Sequence, residues 1–143
     1  MSFDPRTEYP LGSERPELAT TPSGLGLAEL TLDALRAGAV PADDIRATPA
    51  TIRLQAEVAR AAGREPLARN LERAAELASV PADTILEIYT ALRPRRSTAE
   101  ELEDWAARLE SAFSAPLSAA FVREAAAVYA ERSLLRERPT ARV

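Results

Sequence analysis

The sequence contains no cysteine, no histidine and no lysine among its 143 residues. Without cysteine and histidine there are no disulfide bonds, no thiolate or imidazole metal sites, and no Ser/His or Cys/His nucleophilic machinery. Without lysine there is no Schiff-base chemistry, because that reaction needs an amine side chain. Few catalytic options remain, and we predict that this chain contributes no catalytic residue, no cofactor-binding residue and no metal ligand.

Excess positive charge and long apolar runs are also missing. The formal net charge is −4, from 18 arginines against 22 aspartates and glutamates, and aromatic residues make up 5% of the chain. A nucleic-acid interface would need a concentrated basic stripe, and a transmembrane helix would need about 20 predominantly apolar residues. The first residues resemble no signal peptide. We therefore predict a cytoplasmic protein that binds neither nucleic acid nor a membrane.

Helical periodicity is the main pattern that is present. Leu102, Trp105 and Leu109 lie at three- and four-residue steps, and a second stripe begins at Leu117 and continues at Phe121. The first stripe follows Ser97 and Thr98, each with a glutamate three residues later, which is the signature of a capping box. We predict an all-α protein with a single domain of about five to six helices over residues 27–137.

Start and stop signals place the earlier helices. A threonine at 31 and a glycine at 38 bound a short helix, and a threonine followed by proline at 48 and 49 starts a longer one. Further helices are predicted from about 64 to 79 and from about 83 to 92. Asp43 and Asp44 are adjacent carboxylates, but no oxygen-rich loop surrounds them, so we interpret them as acids in a single helical turn.

The two ends of the chain lack a helical pattern. Residues 1–26 contain four prolines and three glycines, and we predict an extended, proline-rich arm with turns. Apolar anchors such as Tyr9 and Leu11 favour an arm lying on a surface, against the alternative of a disordered terminus. The glycines at 24 and 26 follow no strand, so we predict a turn there and not a phosphate loop. Residues 138–143 are predicted to form a polar tail.

Several short runs, taken together, resemble the small (gamma) subunit of adenosylcobalamin-dependent diol and glycerol dehydratases. They occur in the family's order from Tyr9 to about Arg136. The runs are residues 9–11, 31–32, 45–46, 49–53, 73–77, 85–89, 91–94, 96–98, 100–102 and 119–125. One departure is Arg95, which stands where the family usually has an aromatic residue after an Arg-Pro pair.

The resemblance implies a function for the assembled enzyme more than for this chain. Such enzymes convert a 1,2-diol or glycerol into an aldehyde and water, with adenosylcobalamin held by the other subunits. The small subunit would be a non-catalytic helical chain bound to the large and medium subunits in a dimer of heterotrimers. The assembly would be free in the cytoplasm or enclosed in a bacterial microcompartment. A free-standing helical adaptor or regulatory domain is the alternative.

Six large residues at turn-rich or helix-end positions are the predicted contacts with a partner subunit. For Tyr89 the alternative is a core position beside Ile85 and Ile88. For the arginines, the alternative is hydrogen bonding to helix-end carbonyls. The six predicted interface residues are Tyr9, Leu11, Tyr89, Arg93, Arg95 and Arg96.

Overall fold

The computed structural model describes residues 3–137, and this part of the chain is α-helical, with one isolated bridge between Thr20 and Gly26 and no β-strand. The all-α prediction is confirmed, and the five longer helices match those predicted. The predicted tail at 138–143 lies outside the described residues. The helices are α1 (Leu11–Glu14), α2 (Leu32–Arg36), α3 (Pro49–Ala61), α4 (Glu65–Leu77), α5 (Ala82–Ala91), α6 (Ala99–Phe113) and α7 (Pro116–Glu131), with short 3-10 turns at Pro16–Leu18, Leu27–Glu29 and Ala42–Ile45.

Three threonines begin helices at the predicted positions. Thr31 and Thr48 each accept a hydrogen bond from the backbone N–H three residues later, at 3.1 and 3.2 Å. Thr98, and not Ser97, begins α6: its hydroxyl accepts from the Glu101 N–H at 3.3 Å, and the Glu101 carboxylate accepts from the Thr98 N–H at 2.8 Å. These bonds satisfy amide groups that a first helical turn leaves unpaired.

The chain forms two compact units, Met1–Ala78 and Ser79–Val143. In the first unit, α3 and α4 pack against each other across a three-residue connection. Gly63 has a φ of 72° in this connection, a conformation that glycine adopts without steric cost. Ala56, Ala59 and Ala68 are buried at the contact, with Leu71 packed against them. Because these side chains are small, the two helices of the hairpin pack closely and the apolar layer between them is thin.

Residues 3–26 pack within the first unit, so the predicted extended arm is not confirmed. Leu11 and Ala19 are buried, at 3% and 7% exposure. Asp44 is also buried, and its carboxylate accepts hydrogen bonds from the Ser23 N–H at 3.0 Å and the Ser23 hydroxyl at 2.5 Å. The hydroxyl bond is the main cause of the lowered pKa of Asp44. This carboxylate fixes the turn at Gly24, where the sequence predicted a turn.

The second unit contains α5 and the α6–α7 hairpin. Leu102 and Leu109 of α6 are almost fully buried, as the first predicted stripe requires. In α7 the buried residues are Ser118, Ala119 and Val122. Leu117 and Phe121 are 46% and 45% exposed, so the second predicted stripe is out of register with the buried face of α7. Arg123 of α7 spans both helices, since it pairs with Glu103 at 2.8 Å and with Glu110 at 2.7 Å. The hairpin therefore combines an apolar seam with a surface ion-pair network.

Candidate subunit interface

Helix α5 has a buried side and a second side that exposes large apolar residues. Thr84 and Ile88 are buried, whereas Leu86 and Tyr89 are 62% and 64% exposed. Successive residues of a helix are rotated by about 100°, so Tyr89 lies away from Ile88. The guanidinium of Arg93 lies 5.7 Å from the centre of the Tyr89 ring. We call Leu86 and Tyr89 the α5 stripe; it is exposed, as contact with another chain requires.

The connection between α5 and α6, residues 92–98, is held in a defined conformation. Arg95 has a φ of 62°, which costs a non-glycine residue about 1–2 kcal/mol. Its N–H donates a hydrogen bond to the Leu134 carbonyl at 2.7 Å. The Tyr129 hydroxyl and the Arg136 N–H donate to carbonyls near the two ends of the connection, at 2.5 and 2.8 Å. The C-terminal residues thus keep this connection in place.

Arg93, Arg95 and Arg96 form an exposed group of positive charge, which we call the arginine patch. In the described part of the chain no carboxylate lies within ion-pair distance of any of the three, and none of their side chains bonds a helix-end carbonyl. Other arginines of this protein behave differently: Arg60 and Arg123 each hold two glutamates. The patch is therefore a concentration of positive charge without ion pairs among the described residues, in a chain whose net charge is −4, although Glu87 lines the same surface depression as Arg96.

The two predicted contacts near the N-terminus have different surroundings. Tyr9 is 56% exposed and lies with Val58 and Leu67 at the edge of a depression of about 580 Å³. Leu11 is 3% exposed, and we correct its assignment from interface to core. The reason is that the segment around it is folded as α1 and not extended, which turns the Leu11 side chain inward.

A second apolar surface lies on the first unit, and the sequence analysis missed it. Its side chains come from α2 and the two 3-10 turns that flank it, around a groove of about 500 Å³ whose floor includes Val40. The signal that could have revealed it is the density of leucines in elements too short to bury them. We call it the leucine groove; its exposed members are Leu27, Leu30, Leu32, Leu35 and Ile45, at 37% to 65% exposure.

Several carboxylates of this protein form ion pairs or cap helices. Arg123 lowers the pKa of Glu103 and Glu110, chiefly through hydrogen bonds to their carboxylates. Residues 3–137 contain no group of three Asp or Glu side chains placed to hold a metal ion, and no helix in that range is long and apolar enough to cross a bilayer. Exposed apolar side chains and arginines without ion pairs are the distinctive features of the described residues, and both are typical of helical proteins that bind other proteins.

Comparison with known proteins gives the family. Residues 5–136 match the family model described as dehydratase small subunit. The chain is 53% identical over 130 residues to the propanediol dehydratase small subunit of Citrobacter freundii, an alignment that covers 91% of this chain and 76% of that protein. It is 52% identical to the Salmonella typhimurium protein of the same name, over 91% of this chain and 75% of that protein. The chain belongs to the dehydratase small subunit family, which confirms the resemblance found in its sequence.

Proposed function

We propose that this chain is the non-catalytic small subunit of an adenosylcobalamin-dependent diol dehydratase, which converts a 1,2-diol or glycerol into an aldehyde and water. The observation that carries the proposal is the 53% identity to a propanediol dehydratase small subunit over 91% of the chain. Its partners would be a large and a medium subunit, in a dimer of three-subunit units in the cytoplasm, either free or enclosed in a microcompartment.

The chemistry of the side chains supports a non-catalytic role. A general acid at neutral pH needs a carboxyl pKa raised towards 7, and the described carboxylates with resolved shifts all have lowered pKa values. Arginine partners or backbone and hydroxyl donors cause these shifts. These interactions have structural roles, which supports our proposal that the proton transfers of the reaction belong to other chains.

The leucine groove is poorly matched to the cofactor. The leucine groove of about 500 Å³ is lined mainly by aliphatic side chains, whereas a corrin ring carries many amide groups that need hydrogen-bond partners. We therefore place adenosylcobalamin with the other subunits and give this chain the task of binding its partners.

The exposed apolar surfaces are suited to binding the partner subunits. Isolated apolar side chains are common on protein surfaces, but contiguous patches usually mark interaction sites. The leucine groove gathers five large aliphatic side chains, and the α5 stripe adds an aromatic ring, a residue type enriched in interface hot spots. Burial of these surfaces by the partner subunits would stabilise the complex and would exclude water from its apolar contacts.

The test is co-expression of the tagged chain with the large and medium subunits encoded beside its gene. We expect a three-subunit complex on pull-down and adenosylcobalamin-dependent aldehyde formation from 1,2-propanediol or glycerol. Omission of this chain should lower the activity or the solubility of the remaining subunits. If the chain purifies alone and the other two subunits are fully soluble and active without it, the adaptor alternative replaces this proposal.

A further inference from the structure

We propose that the α5 stripe and the arginine patch together form a charge-steered docking site for an apolar pocket flanked by carboxylates on a partner dehydratase subunit. This inference rests on the proposed function and adds the chemistry of the surface that the partner must present. It begins from a difference between the leucine groove and the α5 stripe: among the described residues, only the α5 stripe adjoins a group of arginines without ion pairs.

At the leucine groove, the two neighbouring arginines are already paired. Asp33 lies 3.8 Å from Arg36 in α2, and Asp43 lies 3.4 Å from Arg46 at the end of the 3-10 turn. Asp44 is buried and bonded to Ser23. A partner that covers this groove meets no unpaired arginine of the described chain, and the acids Glu29 and Asp44 have no arginine partner there. Carboxylates on a partner would therefore not be attracted to this groove.

At the arginine patch the opposite holds. Three guanidinium groups lie within four residues at the end of α5, with no carboxylate of the described chain in ion-pair distance. One of them, Arg93, stacks on Tyr89, which joins the charge to the apolar stripe. A guanidinium recognises a carboxylate through paired hydrogen bonds. The complementary surface therefore has carboxylates around a site that accepts the Tyr89 ring and the Leu86 side chain.

The backbone geometry favours binding because it is fixed in advance. Arg95 adopts a left-handed conformation, and the Leu134 carbonyl holds its N–H at 2.7 Å. Strained residues persist where the surrounding structure holds them, and they occur preferentially at functional sites. A rigid connection lowers the entropy lost when the arginines meet their partners. Glycine adopts this φ more easily than arginine. Replacing Arg95 by glycine therefore removes the charge without adding backbone strain, which makes it an informative substitution.

The experiment measures the dissociation constant of the full chain for the separately purified large and medium subunits, at about 50 mM and about 500 mM NaCl. Arg95→Gly removes a charge while favouring the observed backbone, and Arg96→Glu reverses one. We expect the double variant to bind at least tenfold more weakly at low salt, with a smaller difference at high salt. Circular dichroism should show an unchanged fold.

Arg53→Glu is the matched control, because Arg53 is exposed on α3 and has no ion pair among the described residues. It should leave the dissociation constant within about twofold at both salt concentrations. Equal affinity of the double variant and the wild type, at both salt concentrations, would overturn the docking site and leave the proposed function intact. Failure of the wild-type chain itself to bind would overturn both. A loss of self-association instead would assign the patch to a second copy of this chain and overturn the inference.

Discussion

Shortening two exposed side chains of the leucine groove tests whether a partner subunit covers this groove. Complete burial of a leucine or isoleucine side chain contributes about 1.5–3 kcal/mol. Leu32 and Ile45 are 61% and 65% exposed in the free chain, so a partner could still gain about 1–2 kcal/mol from each. Because alanine keeps one methyl group, we expect Leu32→Ala/Ile45→Ala to remove about 2–3 kcal/mol of binding free energy.

This loss corresponds to a dissociation constant about 30- to 150-fold higher. The assay is isothermal titration calorimetry of the full chain against the large and medium subunits, together with urea denaturation of the free chain. Since both side chains are exposed before binding, the free energy of unfolding of the free chain should change by less than about 0.5 kcal/mol per substitution.

Val40→Ala is the matched control, because Val40 forms the floor of the same groove but is only 6% exposed. It should lower the free energy of unfolding by about 1–3 kcal/mol and leave the affinity within about threefold. The reasoning is refuted if Leu32→Ala/Ile45→Ala binds as tightly as the wild type. A large loss of stability in the free double variant would show that these side chains support the fold of their own chain.

Three further predictions concern the second unit. Thr98→Ala should lower the free energy of unfolding by about 1 kcal/mol in urea denaturation, because it removes the hydroxyl that caps α6, whereas Thr98→Ser should restore it. Leu109→Ala should cost about 2–5 kcal/mol in the same assay, since the side chain is 1% exposed, and a smaller loss would mean that the α6–α7 seam closes over the cavity. Arg123 lowers the pKa of Glu103 and Glu110, so their contribution to stability is present above the ordinary glutamate range and is lost as the pH falls through the lowered values. Arg123→Gln should flatten the dependence of unfolding free energy on pH between about 5 and 3, and an unchanged curve would contradict this assignment.

The sequence predicted most of the helical architecture because its signals are local. A threonine cap, a proline at the first helical position or a glycine after the last turn acts within one helical turn, and α3 and α6 begin at the threonine caps that these signals identify. Family membership was equally accessible, because short runs spread along the chain jointly specify it.

The orientation of the side chains was less predictable. α5 has apolar residues around most of its circumference, so the pattern alone does not decide whether Ile88 or Tyr89 faces the core. The partner of Asp44 lies 21 residues earlier, at Ser23, and no local pattern indicates this bond. That bond and the burial of Leu11 hold residues 3–26 within the first unit. The sequence analysis expected an extended arm because these contacts join residues that are far apart along the chain.

The two hairpins, α3–α4 and α6–α7, have a consequence for the order in which an assembly can form. Each joins helices that are neighbours in sequence through a connection of two or three residues. Contacts of such short sequence separation are associated with folding in roughly microseconds to milliseconds, far faster than a ribosome completes a large subunit at about 5–20 residues per second. We therefore expect newly made small subunits to be folded, with their docking surfaces formed, before the next large subunit leaves the ribosome.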